Sequence, residues 1–184
     1  MLALDEKVVA LERAFHKAEV PHAFGGAIAL AYYATPRGTV DVDVNLFVPV
    51  REIDRVLGAL EPLGVEPASE GIRRLADRDE QVRIHWDRTP LDLFFAYDAL
   101  HDTCRQRRRE VPFAGQRITI LSAEDLALFK VLFDRGKDWR DLEEIVFAQA
   151  GSFDSEYVTG WLERIIPPDD PRLARFHSLR LPGT

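Results

Sequence analysis

Residues 23–48, AFGGAIALAYYATPRGTVDVDVNLFV, are the stretch that decides the fold of this chain. Their pattern predicts a short strand, a glycine turn, a helix of good helix formers and a second strand. The second strand carries two acids, Asp41 and Asp43, at a spacing of two residues. On a strand, this spacing places both carboxylates on one face, about 6 to 7 Å apart along the chain. Two acids held this close indicate a site for a cation.

The second strand, predicted over residues 39–48, alternates apolar and polar positions, which is typical of a half-buried strand. Its predicted buried face consists of Val40, Val42, Val44 and Leu46. Its predicted polar face consists of Thr39, Asp41, Asp43 and Asn45. Aspartate is depleted in strands, so two aspartates on one polar face favour a function over mere solvation.

Downstream of this strand, the chain alternates between predicted helices and strands. Residues 71–76 and 81–86 are predicted to form a hairpin around the charged turn at 77–80. The apolar run LDLFFAY at residues 91–97 is predicted to be a strand with one acid, Asp92, inside it. That acid has either a functional role or a structural partner, such as Arg83 or Arg88.

The periodicity of the whole chain predicts an α+β fold, with a mixed β-sheet flanked by helices. An amphipathic helix opens the chain, and the sheet-forming domain is predicted over residues 1–121. Residues 122–166 are predicted to be a small C-terminal helical part, beginning with a capping-box-like SAED sequence. Residues 167–184 form a Pro-rich tail that is expected to be loosely held.

The bulk composition narrows the class of protein. The chain has 184 residues and a formal net charge of −7, which argues against a general basic surface that coats nucleic acid. A single cysteine, Cys104, excludes an internal disulfide and favours a reducing compartment. The N-terminus is acidic, unlike a signal peptide, and the longest weakly polar run, residues 23–34, is too short to span a bilayer. These features predict a cytoplasmic protein without a membrane partner.

The glycine pair and the acids together predict a metal-nucleotide site. Gly25 and Gly26 would let the backbone approach a ligand closely, and the start of the following helix would offer N–H groups to a phosphate. Asp41 and Asp43 could hold one or two Mg²⁺ ions together with the phosphates of an NTP. If Asp92 lies on an adjacent strand, three acids converge there.

Metal ions and acids in this arrangement suit the in-line transfer of a nucleotide to a hydroxyl group. Arg37, just before the acids, is positioned to neutralise phosphate charge, which matters because such transfer depends mainly on positioning and electrostatics. The sequence therefore predicts a nucleotidyltransferase.

The same motifs resemble a known family. GGAIAL at residues 25–30 and RGTVDVD at residues 37–43 are similar to the signature of the DNA polymerase beta-like nucleotidyltransferase superfamily. Lys130 on a predicted helix and KDWRDL at residues 137–142 are similar to further motifs of the AbiEii/MenT-type nucleotidyltransferases, which are toxins of toxin-antitoxin systems. The resemblance covers roughly residues 22–147.

The resemblance implies Mg²⁺ held by Asp41 and Asp43, nucleotide contacts from Lys130 and Asp138, an acceptor at the 3′ end of a tRNA, and an antitoxin partner. Asp92 matches the superfamily's pattern of an aspartate between hydrophobic strand residues. Many superfamily members have Gly-Ser where this chain has Gly26-Ala27, so one hydroxyl contact to phosphate is missing.

The motifs and the resemblance together indicate three sets of site residues. The predicted catalytic residues are Asp41, Asp43, Asp92 and Lys130. The predicted metal ligands are Asp41, Asp43 and Asp92. The predicted nucleotide contacts are Gly25, Gly26, Arg37, Thr39, Lys130 and Asp138.

Several of these residues also have a simpler structural interpretation. Lys130 could lay its stem along an apolar helix face, and Asp138 could cap a helix. Arg105 and residues 107–109 could be solvated charges or the edge of an RNA groove.

Three functions are consistent with the sequence. The first is an Mg²⁺-dependent nucleotidyltransferase acting on RNA, the tRNA 3′ end, as a toxin with an antitoxin partner. The second modifies a small hydroxylated antibiotic of the aminoglycoside or lincosamide type, which the acidic net charge favours because aminoglycosides are cations. The third is a catalytically silent binding module with the same fold.

Overall fold

The fold is described by a computed structural model, in which residues 2–65 and 69–179 are described. The chain divides into two compact units. The first unit comprises Met1–Ile28 and Gly38–Leu121, and the second comprises Ala29–Arg37 and Ser122–Thr184.

The first unit contains a six-stranded mixed sheet, as the sequence predicted. The strands are β1 (His22–Phe24), β2 (Val42–Leu46), β3 (Gln81–Trp86), β4 (Thr89–Phe95), β5 (Arg109–Phe113) and β6 (Gln116–Ile120). Their order across the sheet is β3-β4-β2-β1-β6-β5. β2 is parallel to β4, and β1 is parallel to β6; the other three pairs are antiparallel. The α+β class is therefore confirmed.

Helices accompany the sheet and form the second unit. Those that begin in the first unit are α1 (Leu4–Lys17), α2 (Gly26–Leu30), α3 (Ile53–Leu60), α4 (Glu70–Asp79) and α5 (Ala99–Arg107). Those of the second unit are α6 (Ala123–Phe133), α7 (Gly136–Ala148), α8 (Ser155–Ile165) and α9 (Pro171–His177). Over the described residues, no helix is long and apolar enough to cross a membrane.

The two central strands bury one face completely. The side chains on this face are Val42, Val44 and Leu46 of β2 and Leu91, Leu93 and Phe95 of β4, all 0% exposed. Burying an aliphatic or aromatic side chain of this size contributes about 1.5 to 3 kcal/mol. Because the side chains of a strand alternate between faces, this buried face fixes the opposite face as the one that carries Asp43 and Asp92.

The β3–β4 hairpin is fastened to the opening helix by Lys7. The buried Lys7 ammonium donates hydrogen bonds to the Trp86 carbonyl (2.7 Å) and the Thr89 hydroxyl (3.0 Å). It also lies 3.2 Å from the carboxylate of Asp87 in the turn. These contacts on both ends of the hairpin turn hold the register between β3 and β4.

The predicted hairpin around residues 77–80 is wrong. Residues 71–76 lie in helix α4, which Ser69 caps by accepting a hydrogen bond from the Ile72 N–H. The hairpin instead joins β3 to β4 through the two-residue turn at Asp87 and Arg88.

The strand that carries the acids starts later than predicted. β2 begins at Val42, and Val40, which was predicted to face the core, is 76% exposed. The preceding helix α2 ends at Leu30, before the predicted end near Ala34. Asp41 therefore lies immediately before the strand instead of within it.

Residues 99–107 form helix α5, and Arg109 already belongs to β5. Asp98 caps this helix by accepting hydrogen bonds from the N–H groups of Leu100 and His101. The antiparallel pairing of β5 with β6 forms a second hairpin.

The second unit is built around helix α6, which is buried on nearly every side and contacts α7, α8 and α9. Ser122 caps α6 by accepting a hydrogen bond from the Asp125 N–H, as the capping-box-like sequence predicted. The expectation of a loosely held tail is wrong over α9, because Leu173 and Phe176 are buried there and Arg172 donates to the Leu132 carbonyl (3.0 Å).

Candidate active site

Three charged residues form a row across neighbouring strands of the sheet. Asp43 of β2 is the Cα partner of Asp92 on β4, and Asp92 is in turn the Cα partner of Arg83 on β3. Directly paired residues point to the same face of a sheet, with their Cβ atoms about 4.5 to 5.5 Å apart. The structure thus brings together two of the predicted acids with an arginine on one face.

The glycine turn between β1 and α2 lies against the Asp43 side chain. Gly26 has φ +50°, and a Cβ built there would be 1.8 Å from Asp43 Oδ2. Gly25 donates its N–H to the Asp43 carbonyl (2.9 Å), and a Cβ on it would be 2.8 Å from Asn45 Nδ2. Only glycine fits at residue 26, because a side chain would occupy the space of the carboxylate.

Helix α2 is only five residues long, so it accumulates little macrodipole for a phosphate. The Gly25 N–H is donated to the Asp43 carbonyl, so what the turn offers is the close approach that its missing Cβ atoms allow. The role of Gly25 and Gly26 in nucleotide binding stays a prediction.

Asp41, two residues before Asp43, is held by Thr39. The Thr39 hydroxyl donates to the Asp41 carboxylate, and the Asp41 N–H donates to the Thr39 oxygen (3.3 Å). These bonds fix the irregular segment before β2, so Asp41 keeps a defined position although it is not part of the strand. Thr39 was predicted to contact the nucleotide, and the contact that the structure gives it is with this acid.

Arg83 engages both oxygens of Asp92. Its Nε donates to Oδ1 (2.7 Å) and its Nη2 donates to Oδ2 (2.6 Å), a bidentate pair. The Arg83 side chain is 55% exposed, whereas that of Asp92 is 16% exposed. Of the two structural partners that the sequence offered for Asp92, the structure selects Arg83.

The acids also act on Arg83 as a group. The hydrogen bond and charge of Asp92 raise the pKa of the Arg83 guanidinium, and the charges of Asp41 and Asp43 add to this rise. We call Asp41, Asp43, Asp92 and Arg83 the sheet cluster. It contains three carboxylates and one guanidinium.

The donor chemistry of the sheet cluster fits Mg²⁺, which prefers carboxylate oxygens and keeps several waters. The missing Cβ at Gly26 lets the Asp43 carboxylate pack directly against the turn. Over residues 2–65 and 69–179, however, no three acidic, histidine or cysteine side chains are arranged to hold a metal ion. Asp92, the third predicted ligand, has both oxygens on Arg83, so Asp41 and Asp43 are the better-placed ligands.

The remaining predicted residues lie in the second unit, in what we call the helix cluster, which consists of Arg37, Lys130, Asp138 and Asp141. The buried Lys130 ammonium donates to Asp141 Oδ2 (2.6 Å) and lies 3.7 Å from Asp138 Oδ1. Arg37 donates to the same Asp141 carboxylate through Nε (3.2 Å) and Nη2 (3.1 Å). The cluster thus pairs two cations with two acids.

Asp138 is not the N-cap of its helix, because α7 begins at Gly136 and Arg135 occupies the cap position. Its carboxylate accepts hydrogen bonds from Arg135, at 2.5 Å from Nε and 3.3 Å from Nη2. The nucleotide contacts predicted for Arg37, Lys130 and Asp138 stay predictions.

Asp141 is the central residue of the helix cluster. Burial raises the pKa of its carboxyl group, but the hydrogen bonds from Arg37 and Lys130 outweigh this effect and hold the pKa below its ordinary value. The side chain is therefore an anion at neutral pH.

Sequence reasoning gave no site role to Arg83 or Asp141. Arg83 could have been assigned by counting outwards from the turn at Asp87 and Arg88, which pairs Arg83 with Asp92. Asp141 lies in the KDWRDL motif at residues 137–142, but nothing in that motif shows that its partner is Arg37, which is 104 residues away in the sequence.

Comparison with solved structures supports the assignment of the fold. ANT(2'')-Ia in complex with adenylyl-2''-tobramycin is 16% identical, with 95% of this chain and 97% of that chain covered and a TM-score of 0.60. The lincomycin-bound lincosamide antibiotic adenylyltransferase LnuA is 14% identical, with 76% and 94% covered and a TM-score of 0.54. An antigenic nucleotidyltransferase-like protein from Paracoccidioides brasiliensis is 17% identical, with 97% and 93% covered and a TM-score of 0.53.

A search of curated proteins found no match to the sequence. The profile of one protein family, described as uncharacterised nucleotidyltransferase, matches residues 2–133, which include every residue of the sheet cluster. With this match over more than half of its length, and with a sheet that fits the nucleotidyltransferase fold, the chain belongs to this nucleotidyltransferase family.

Proposed function

We propose that the sheet cluster is the reaction centre at which a nucleoside monophosphate passes from an NTP to an acceptor hydroxyl. The pairing of Asp43 with Asp92, beside a turn in which Gly26 leaves room only for the Asp43 carboxylate, carries this proposal. The acceptor oxygen attacks the α-phosphorus, the bond to the β-phosphate breaks, and pyrophosphate leaves.

Each residue of the cluster has a role in this proposal. Asp41 and Asp43 would hold one or two Mg²⁺ ions, which when bound stabilise charge on the attacking and leaving oxygens. Asp92 would complete the set of acids by accepting the acceptor's proton or by joining the metal ligands. Thr39 keeps Asp41 in place, and the backbone of the glycine turn faces the triphosphate.

The nucleotide contacts proposed in the second unit are a separate part of the hypothesis. Arg37 is about one-third exposed, so it can neutralise phosphate charge while it pairs with Asp141. Lys130 and Asp138 are buried, and they would act on the nucleotide through the arrangement of the helix cluster.

A small, cationic, hydroxylated acceptor of the aminoglycoside or lincosamide type has the stronger support. The formal net charge of −7 attracts cations and repels the phosphates of RNA. Two proteins of similar fold, ANT(2'')-Ia and LnuA, were solved with an adenylylated aminoglycoside and with lincomycin.

The tRNA 3′ end, modified by a toxin with an antitoxin partner, is the second candidate. One observation favours it. Arg105, Arg108 and Arg109 are exposed at the end of α5 and the start of β5, where they form a local basic surface. Phosphate contacts of this kind supply most of the non-specific affinity for nucleic acid.

The test is to incubate the purified protein with Mg²⁺, each α-³²P-labelled NTP, and either total RNA or a panel of aminoglycosides and lincosamides. Label on a small molecule supports the first acceptor, and label on RNA of tRNA size supports the second. Asp43→Asn should abolish the label, whereas the control Asp77→Asn, an exposed acid on α4, should not. Failure to label any acceptor or release pyrophosphate with any NTP would overturn the proposal.

A further inference from the structure

The cation that the sheet cluster already contains is the Arg83 guanidinium. It pairs with Asp92 through two short hydrogen bonds, so neither oxygen of that carboxylate is presented to a metal ion in this geometry. A divalent cation that binds all three acids must first displace this pair. Metal binding and the Arg83–Asp92 pair are therefore in competition.

The position of Arg83 in the fold allows it to leave. β3 is an edge strand, and the Arg83 side chain is 55% exposed. The packing of β3 depends on the opposite face, where Val82, Ile84 and Trp86 are buried. The hairpin is also held at its turn by Lys7, and these contacts do not involve Arg83. Moving the guanidinium breaks an ion pair whose arginine is 55% exposed, and ion pairs with an exposed partner contribute little to stability.

An arginine that is released beside a bound triphosphate can pair with the phosphate oxygens. The planar guanidinium binds phosphate oxygens in the same bidentate manner in which it binds a carboxylate. The negative charges of Asp41 and Asp43 also act on Arg83, so its environment changes when a divalent cation neutralises them.

We propose that Arg83 is an exchangeable counter-ion of the sheet cluster. It neutralises Asp92 while no ligand is bound, and it passes to the phosphates of the nucleotide when a divalent cation binds beside the acids. This inference rests on the proposed function, since it assigns a further residue to the same site. It also predicts that Asp92 becomes available to metal or acceptor only in the nucleotide complex.

The first measurement is the binding of Mn²⁺, as a probe for Mg²⁺, to the nucleotide-free protein by electron paramagnetic resonance. Arg83→Gln should bind Mn²⁺ about ten-fold more tightly than the wild type, because one competing positive charge is removed and Asp92 is released. Arg78→Gln is the matched control, since it removes an arginine paired with an exposed acid, Asp79, and should leave the affinity unchanged. Equal Mn²⁺ affinity in the wild type and Arg83→Gln would overturn the proposal.

The second measurement uses α,β-methylene nucleoside triphosphates, which cannot donate the nucleotidyl group, at saturating Mn²⁺. Arg83→Gln should bind the best of the four analogues about ten-fold more weakly, because the arginine's phosphate contact is lost. Tighter Mn²⁺ binding with unchanged analogue binding would overturn the exchange, since Arg83 would then be only a competitor of the metal.

Arg83→Lys provides a second variant in case Arg83→Gln does not fold, as judged by circular dichroism. Lysine keeps the charge but cannot make the bidentate pair, so its Mn²⁺ affinity should lie between those of the wild type and Arg83→Gln. A wild-type affinity in Arg83→Lys, with Arg83→Gln unfolded, would count against the proposal. Neither binding assay needs turnover, so a chain that transfers no nucleotide would refute the proposed function and leave the Mn²⁺ result to decide this inference.

Discussion

The sheet cluster and the helix cluster both combine aspartates with basic residues, but we expect them to have different roles. In the sheet cluster, three acids face one arginine, and that arginine is 55% exposed. In the helix cluster, two acids face two cations, and the side chains of Lys130 and Asp138 are only 4% and 2% exposed. The arginine of the first arrangement lies where ligands can reach it, whereas Lys130, Asp138 and Asp141 of the second are buried.

This difference separates a binding role from a structural one. Carboxylates that lie close together repel one another, and a bound cation removes that cost. A buried ion pair contributes little net stability, but the loss of one partner leaves an uncompensated charge in the interior. Mutations in the sheet cluster should therefore change activity more than stability, and mutations in the helix cluster should change stability first.

The largest effect is expected for Asp43→Asn in the sheet cluster. The rate of nucleotidyl transfer should fall by about 10³-fold or more, because a predicted metal ligand is lost at the point where charge develops. The melting temperature should stay the same or rise slightly, since one of three mutually repelling carboxylates is removed. Initial rates and thermal unfolding of the same preparation test this. A stable variant with nearly full activity would show that Asp43 is not part of the reaction centre.

Lys130→Met is the corresponding test of the helix cluster. It should reduce the free energy of unfolding by about 3 to 4 kcal/mol, because Asp141 and Asp138 lose their buried cation. Adding Asp141→Leu should restore most of this loss, since an apolar pair replaces a half-broken ion pair. Urea denaturation of the wild type, both single variants and the double variant measures the recovery.

The activity of this double variant decides the role predicted for Lys130 at the nucleotide. If stability returns and transfer stays abolished, Lys130 acts on the nucleotide as well as on the fold. If transfer returns with stability, Lys130 is structural only.

The strands that the sequence predicted well share one property. Each has a single buried face, so apolar and polar residues alternate along it. β4 follows the apolar run at residues 91–97, and β2 carries Asp43 on the face opposite to Val42 and Val44, as the pattern required. The β-branched and aromatic residues of such strands fit a pleated surface, so pattern and propensity agree.

The predictions failed where a short apolar pattern is compatible with both the period of a strand and the period of a helix. In residues 71–76, GIRRLA, the three apolar residues are compatible with a strand, but the Ser69 cap and the spacing of Ile72 and Ala76 suit a helix. Reading this segment as a strand moved the hairpin away from Asp87, so Arg83 was only one of two candidate partners for Asp92, beside Arg88. One error in secondary structure thus left the partner of Asp92 undecided.

The helix cluster could not be derived from local patterns at all. Asp141 collects Lys130 from the preceding helix and Arg37 from a segment far away in the sequence. Such pairing depends on how the helices pack, and the motif around residues 137–142 indicates only that charged residues are present.

Gly26→Ala should have the next largest effect, and it tests the contact between the glycine turn and Asp43 of the sheet cluster. The added Cβ would lie 1.8 Å from Asp43 Oδ2, and φ is +50°, so either the carboxylate or the turn must move. We expect transfer to fall by about 10²-fold, since a misplacement of about 1 Å can cost this much.

The control for Gly26→Ala is Gly58→Ala in helix α3, where an added Cβ meets no atom within 4 Å. This variant should be fully active and up to about 1 kcal/mol more stable, because alanine favours the helix. Full activity in Gly26→Ala would show that the close approach of the turn to Asp43 has no catalytic role.

The smallest expected effect is a pH dependence confined to the helix cluster. The pKa of Asp141 is lowered in the folded chain, so its ion pairs stabilise the fold fully above the unfolded carboxyl pKa, about 3.9, and this stability is lost as the pH falls through the lowered folded pKa. Asp141→Asn should therefore melt below the wild type at pH 6, and the gap should narrow by a few degrees between pH 4 and pH 3. Differential scanning fluorimetry from pH 3 to pH 6 measures the gap. A gap that stays constant across that range would mean that the charge of Asp141 does not stabilise the helical unit. The structural role assigned to the helix cluster would then be wrong.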